Sequence, residues 1–173
     1  NIHQRYYPAS ITKILTALIV IERCKLDDTI TFSYDAVHNV ESGSTSAGYG
    51  VGDKITVREA LYALLLRSAN EVANALAEHC AGSREAFARL MNEKAASLGC
   101  KESHFTNPSG LNDENHYTTA YDYSLIAMAA FKNPTFVEFD STTYYELPPN
   151  SANAEPFTIY CGHKMLKKSS GLY

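Results

Sequence analysis

The stretch Tyr7-Pro8-Ala9-Ser10-Ile11-Thr12-Lys13-Ile14 decides how this chain is read. Pro8 halts whatever strand or loop comes in, and a strongly apolar run with helical spacing begins directly after it. Ser10 and Lys13 open that run three residues apart, so they share one helix face and the lysine amine can reach the serine hydroxyl. A helix N-terminus also presents unpaired N–H groups and the positive end of the dipole, which favour a developing oxyanion. A nucleophile needs a nearby base and a place for negative charge, and this turn offers both.

Working outward, residues 10–24 read as a buried helix. Ile11, Ile14, Leu15, Leu18 and Ile19 follow the i, i+3, i+4, i+7, i+8 spacing, and Ala17, Val20 and Ile21 widen the stripe. Apolar around most of its circumference, this helix is expected to run through the centre of the fold and to anchor the serine–lysine pair rigidly. Residues 28–32 and 53–57 are short β-prone pieces able to pair as a ribbon, and the Ser- and Gly-rich residues 41–52 between them read as a loop. Thr56-Val57-Arg58-Glu59 has the form of a capping box and predicts a helix to about Leu66 or Arg67. Further helices are expected over 70–82, closed by Gly82, over 84–98, closed by Gly99, and from Thr119 to about Phe131, with a short last one at Asn133-Pro134. Residues 100–117 form a long loop rich in turn residues, and Thr143 to Leu147 and Phe157 to Tyr160 read as strands. The expected class is mainly α with short β pieces: one domain over 1–173, with a helical body over about 10–140 and a β-prone segment over about 142–173.

Composition narrows the function. The chain has 173 residues, 45% hydrophobic and 20% charged, and a net charge of −4, which suits a globular core and argues against a nucleic-acid partner. Its longest apolar run, from Ile14 to Ile21, is far short of the roughly 20 residues a membrane-spanning helix needs. The chain begins with Asn1, which leaves an upstream signal or anchor open. Cys24, Cys80, Cys100 and Cys161 are widely spaced, and Cys24 and Cys80 read as small hydrophobes in helical patterns rather than disulfide partners. The six histidines show no ligand spacing, so neither a metal nor another cofactor is expected.

Three polar features remain: Ser10 with Lys13, Ser68 with Asn70 at the joint of two predicted helices, and the loop from Asn107 to His116. Each alone is ordinary helix-terminal chemistry. Together, S-x-x-K followed by S-x-N is the order used by penicillin-binding proteins and serine β-lactamases. The neighbourhoods are more specific. The segment from Tyr7 to Ala17 closely resembles the nucleophile segment of the low-molecular-mass penicillin-binding proteins, the serine D-alanyl-D-alanine carboxypeptidases. So do Val57 through Glu71, Met91-Asn92-Glu93-Lys94-Ala95, Leu98-Gly99, His104 through Leu111 and Tyr117 through Asp122. The resemblance implies the helical body of the serine β-lactamase and penicillin-binding-protein α/β fold. It implies Ser10 as the acylated nucleophile, Lys13 as its general base, Ser68 as a proton relay to the leaving group and Asn70 as a hydrogen-bonding partner of the substrate. The implied partners are peptidoglycan pentapeptides ending in D-Ala-D-Ala and β-lactam antibiotics. The implied place is the cell envelope outside the cytoplasm, with membrane association only through segments that this chain does not contain.

The third motif of that family, a K-T-G strand, has no clean match. Lys168-Ser169-Ser170-Gly171 carries one residue too many, and one inserted residue turns strand side chains to the opposite face. His163-Lys164-Met165-Leu166 resembles what precedes the K-T-G strand. The expectation is therefore an incomplete main sheet, Lys13 without its second cation, weakened acyl transfer and association through uncovered strand edges. Two other readings stay open. A class A β-lactamase shares the first two motifs but needs an E-x-x-L-N stretch, and Asn112-Asp113-Glu114-Asn115 has the wrong order. A non-catalytic helical module is the third.

Overall fold

The computed structural model describes residues 1–162, and residues 163–173, with both the His163-Lys164-Met165-Leu166 stretch and the near-match to K-T-G, lie outside the described residues. Its centre is helix α1 (Thr12–Arg23), whose Leu15, Ala17, Leu18, Ile19 and Val20 are fully buried. Helices α3 (Val57–Arg67), α4 (Asn70–Ala81), α5 (Arg84–Ser97), α6 (Ala120–Lys132) and α7 (Pro134–Asp140) all pack against it, so an amphipathic stripe would not suffice and the near-continuous apolar sequence is needed. Each buried leucine of α1 contributes roughly 1.5–3 kcal/mol through removal from water.

Local chemistry explains where the helices start. Thr56 accepts from the Glu59 amide at 3.2 Å while Glu59 accepts from the Thr56 amide at 2.7 Å, the reciprocal box read in the sequence. Ser83, Thr119 and Asn133 cap α5, α6 and α7 with their side chains. Gly82 ends α4 at φ +84°, where a Cβ would be strained.

The strands form three separate antiparallel pairs. β2 (Thr29–Thr31) pairs with β3 (Lys54–Thr56), Ile30 opposite Ile55, as the β-prone pieces predict. β5 (Tyr144–Leu147) pairs with β6 (Phe157–Tyr160), and this hairpin is held to α3 by Tyr145 stacked on Tyr62 at 3.8 Å. β1 (Arg5–Tyr6) pairs with β4 (Thr118–Thr119) and brings the entering chain beside the start of α6. Neither strand of that pair was legible, since two residues carry no alternation. Helix α2 (Tyr34–His38) also escapes periodicity: it is a single capped turn, held by Asn74, whose side-chain amide donates to Ala36 O and Asn39 O at 3.2 and 3.1 Å. Among the described residues no helix is long and apolar enough to cross a membrane.

Candidate active site

Ser10 does not open the α-helix. It lies in a 3-10 turn, Ala9–Ile11, and the α-helix starts at Thr12. The cause is Ala9, whose φ of +49° cannot continue into a helix, so the chain tightens before it widens. The tighter turn keeps the i, i+3 relation between Ser10 and Lys13 and leaves Ser10 exposed. Ala9 and Ser68 are the two non-glycine residues with positive φ among the described residues, and each belongs to one of the two motifs. Such conformations cost about 1–3 kcal/mol each and persist where the surroundings enforce them, commonly at functional sites.

Lys13 is 2% exposed. Its Nζ lies 2.7 Å from Asn70 Oδ1, 2.7 Å from the Ser109 carbonyl and 3.4 Å from Ser10 Oγ. Burial draws its pKa down from 10.5 to about 8, with the Glu71 charge opposing the shift. A second cation is thus not required for a substantial depression. In the neutral amine two N–H bonds reach Asn70 and Ser109, and the lone pair is left for the Ser10 proton. Asn70 in turn begins α4, and its backbone N–H donates to Thr45 O at 3.0 Å.

Ser68 is the C-cap of α3 at φ +59°, ψ +36°. Its Oγ is buried and has no hydrogen-bond partner among the described residues. An orphaned buried hydroxyl costs free energy unless a ligand completes it.

Three further contributors surround these groups; the loop from Asn107 to His116 was singled out in the sequence, and Glu71 was not. Glu71, 2% exposed, takes three donors on Oε1: Ser46 Oγ at 2.8 Å, the Ala47 amide at 2.7 Å and the Gly48 amide at 3.2 Å. It straps the loop of residues 45–48 onto the Ser68–Asn70 turn. The loop around Asn107 closes the other side. Pro108 O accepts from Thr16 Oγ1 at 2.7 Å, and Asn107 Oδ1 accepts from the Gly110 amide at 2.7 Å. Gly110, at φ +83°, lies so close to the nucleophile turn that a Cβ there would sit 1.9 Å from Ala9 O. His116 supports the same turn from beneath: Nδ1 accepts from the Thr106 amide at 3.0 Å, which leaves the proton on Nε2, 2.9 Å from Thr12 Oγ1. Burial lowers the His116 pKa to about 4, so the ring stays neutral in this role. The signal for the loop was its turn clusters between Asn107 and His116 and the resemblance of His104 through Leu111, whereas the role of Glu71 left none. No group of three or more metal-ligating side chains occurs among the described residues.

The chain has known counterparts. A family model described as D-alanyl-D-alanine carboxypeptidase matches residues 1–159. The D-alanyl-D-alanine carboxypeptidase DacF of Bacillus subtilis is 35% identical over 147 residues, covering 82% of this chain and 37% of its own length. The crystal structure of the Streptomyces K15 DD-transpeptidase superposes with a TM-score of 0.86 at 30% identity, covering 97% of this chain and 69% of that one. Penicillin binding protein 6B of Escherichia coli gives a TM-score of 0.84 at 28% identity, over 98% of this chain and 54% of its own. This chain spans between about a third and a half of the length of the curated relatives it matches. The fold is accordingly the helical body of that α/β architecture, with its sheets present as short pairs among the described residues. On this evidence the chain belongs to the D-alanyl-D-alanine carboxypeptidase family of serine peptidases.

Proposed function

We propose that this site performs serine acyl transfer on peptidoglycan stem peptides ending in D-Ala-D-Ala, in the cell envelope outside the cytoplasm, and is acylated by β-lactams at the same atom. Neutral Lys13 takes the Ser10 proton, and Ser10 Oγ attacks the carbonyl carbon between the two D-alanines. The Ser68 hydroxyl carries a proton to the departing amine, and the terminal D-alanine leaves. Water then attacks the ester, the proton returns, and Ser10 is regenerated. Asn70 keeps Lys13 in place and offers its side-chain amide to the substrate. A cleft of about 450 Å³ lined by Ser46, Ala47, Arg67, Asn153 and β6 lies at the end of α3 that leads into the Ser68 turn, and offers room for part of a bound peptide there.

The observation that carries this reading is the lysine: a buried amine with two fixed acceptors and a serine hydroxyl at 3.4 Å. A lysine present only for packing needs no such constellation. Intact-mass measurement after exposure to benzylpenicillin tests it. One stable adduct on the wild type and none on Ser10→Ala is the expected result. Equal adducts on both proteins remove Ser10 from the role, rapid loss of label marks a β-lactamase, and no label on the wild type marks a non-catalytic module.

A further inference from the structure

Helices α1 and α4 lie side by side and run in the same direction. At their N-terminal ends Lys13 Nζ meets Asn70 Oδ1 at 2.7 Å, and at the other end His79 Nε2, in the last turn of α4, lies 3.7 Å from Oδ2 of Asp28, which follows α1. Lys13 to Cys24 is 11 residues (24 − 13) and Asn70 to Cys80 is 10 (80 − 70), so the two cysteines stand at nearly the same height. Cys24 is the C-cap of α1, with extended backbone (φ −111°, ψ 150°), and Cys80 is in the last turn of α4. The two thiols are near enough to shift each other's ionisation. Both are half-buried and unbridged.

We propose that Cys24 and Cys80 are a dithiol–disulfide site that closes to an intramolecular bridge on reaction with a small organic disulfide of the glutathione class. The interaction between them pushes the Cys24 thiol up and draws the Cys80 thiol down, and Arg23 adds to the lowering at Cys80. Cys80 is therefore the attacking thiolate. It displaces one thiolate from the small disulfide and forms a mixed disulfide. Cys24 then gives its proton to solvent and attacks the Cys80 sulfur, releasing the second thiolate. The two protein thiols are oxidised and the small disulfide is reduced to two thiols, so atoms and electrons balance. The bridge would tie together the far ends of the two helices whose near ends carry Lys13 and Asn70. Cys100 is a built-in comparison: its Sγ donates to Asp122 O at 3.3 Å and burial raises its pKa to about 11, which keeps it unreactive.

The test is incubation of the reduced chain with oxidised and reduced glutathione, then alkylation of free thiols and peptide mass mapping. The expected product has lost two hydrogens, links the Cys24 and Cys80 peptides, and leaves Cys100 alkylated. The bridge should raise Tm by about 5–10 °C over the reduced chain. Cys24→Ser should stop at a glutathione adduct on Cys80, because no resolving thiol remains. A bridge using Cys100 or Cys161, a lasting glutathione adduct on wild-type Cys80, or all four thiols still alkylatable after oxidation would each overturn the proposal. None of these readouts depends on acyl transfer.

Discussion

Replacing Lys13 with methionine gives a quantitative test of how the site holds its base. The side chains have similar length, so Lys13→Met exchanges a buried amine for a buried thioether with little change in volume. The fall in pKa from 10.5 to about 8 corresponds to roughly 3 kcal/mol at about 1.36 kcal/mol per pKa unit. That energy is the cost of keeping the ammonium form in the folded chain, where Lys13 is 2% exposed. The sign follows from proton counting. Between pH 8 and 10.5 the unfolded chain binds more protons at this residue, so folding stability rises with pH across that window. Below pH 8 the destabilisation is close to its full value, and above 10.5 it is gone. The variant lacks the titration, although it leaves Asn70 Oδ1 and Ser109 O without their lysine donor, a constant loss of about 1–3 kcal/mol for each such group. The absolute stabilities at pH 7 are therefore similar, and the slope is decisive. Urea unfolding followed by circular dichroism at pH 7 and 10 should show the wild type gaining about 2.5 kcal/mol relative to Lys13→Met. Other cysteines and tyrosines titrate in both proteins and cancel in the difference. A difference constant to within about 0.5 kcal/mol across that range, close to the additivity error of such measurements, would refute the depressed lysine.

Three further outcomes are expected. His116, drawn from 6.5 to about 4 by burial, binds fewer protons folded than unfolded in that interval, so stability is present above pH 6.5 and is lost as pH falls toward 4. Measured by urea unfolding, the wild type should lose about 3 kcal/mol more than His116→Gln between pH 7 and 4. Gly110→Ala drives a methyl group against Ala9 O at a positive φ, and should cost about 2–4 kcal/mol in thermal unfolding while slowing penicillin acylation through displacement of Ser10. Glu71→Ala removes the acceptor of the Ala47 and Gly48 amides, and hydrogen exchange there should quicken by about 10–100-fold, with Glu71→Gln retaining most of the protection.

What could be read in advance divides along a physical line. Helix α1, the Thr56–Glu59 box and the Gly82 stop are consequences of neighbours in sequence, and their spacing is visible without a fold. Ser10, Lys13, Ser68 and Asn70 stood out as candidates for a different reason: two short motifs in a known order carry information that neither has alone. The rest of the site depends on distance along the chain. Ser109 O reaches Lys13 across 96 residues, and His116 reaches Thr12 across 104. Neither contact leaves a local period, and a histidine in a loop full of Asn and Asp looks like a solvated residue until the loop is seen folded under the nucleophile turn. The 3-10 entry at Ala9 was hidden for the same reason, because the close approach of Gly110 from the far loop accompanies a strained alanine there.

The division also bears on how the base is prepared. Expectation gave the depression of Lys13 to burial together with a second cation from a strand motif; among the described residues burial supplies it, with Glu71 working against it. Glu71 is nonetheless kept, and its carboxylate is occupied on one oxygen by three donors from residues 46–48. A neutral residue could not hold two backbone amides and a hydroxyl as tightly, since hydrogen bonds to a charged acceptor are roughly twice as strong. The site therefore accepts a charge that hinders its base in return for a fixed loop beside Ser68 and Asn70. Glu71→Gln separates the two effects: it should lower the Lys13 pKa below about 8 while the loop keeps most, though not all, of its protection. Nζ chemical shifts followed by NMR against pH would read the first, and hydrogen exchange the second. A Lys13 titration unmoved by the change would show that the carboxylate acts on the loop alone.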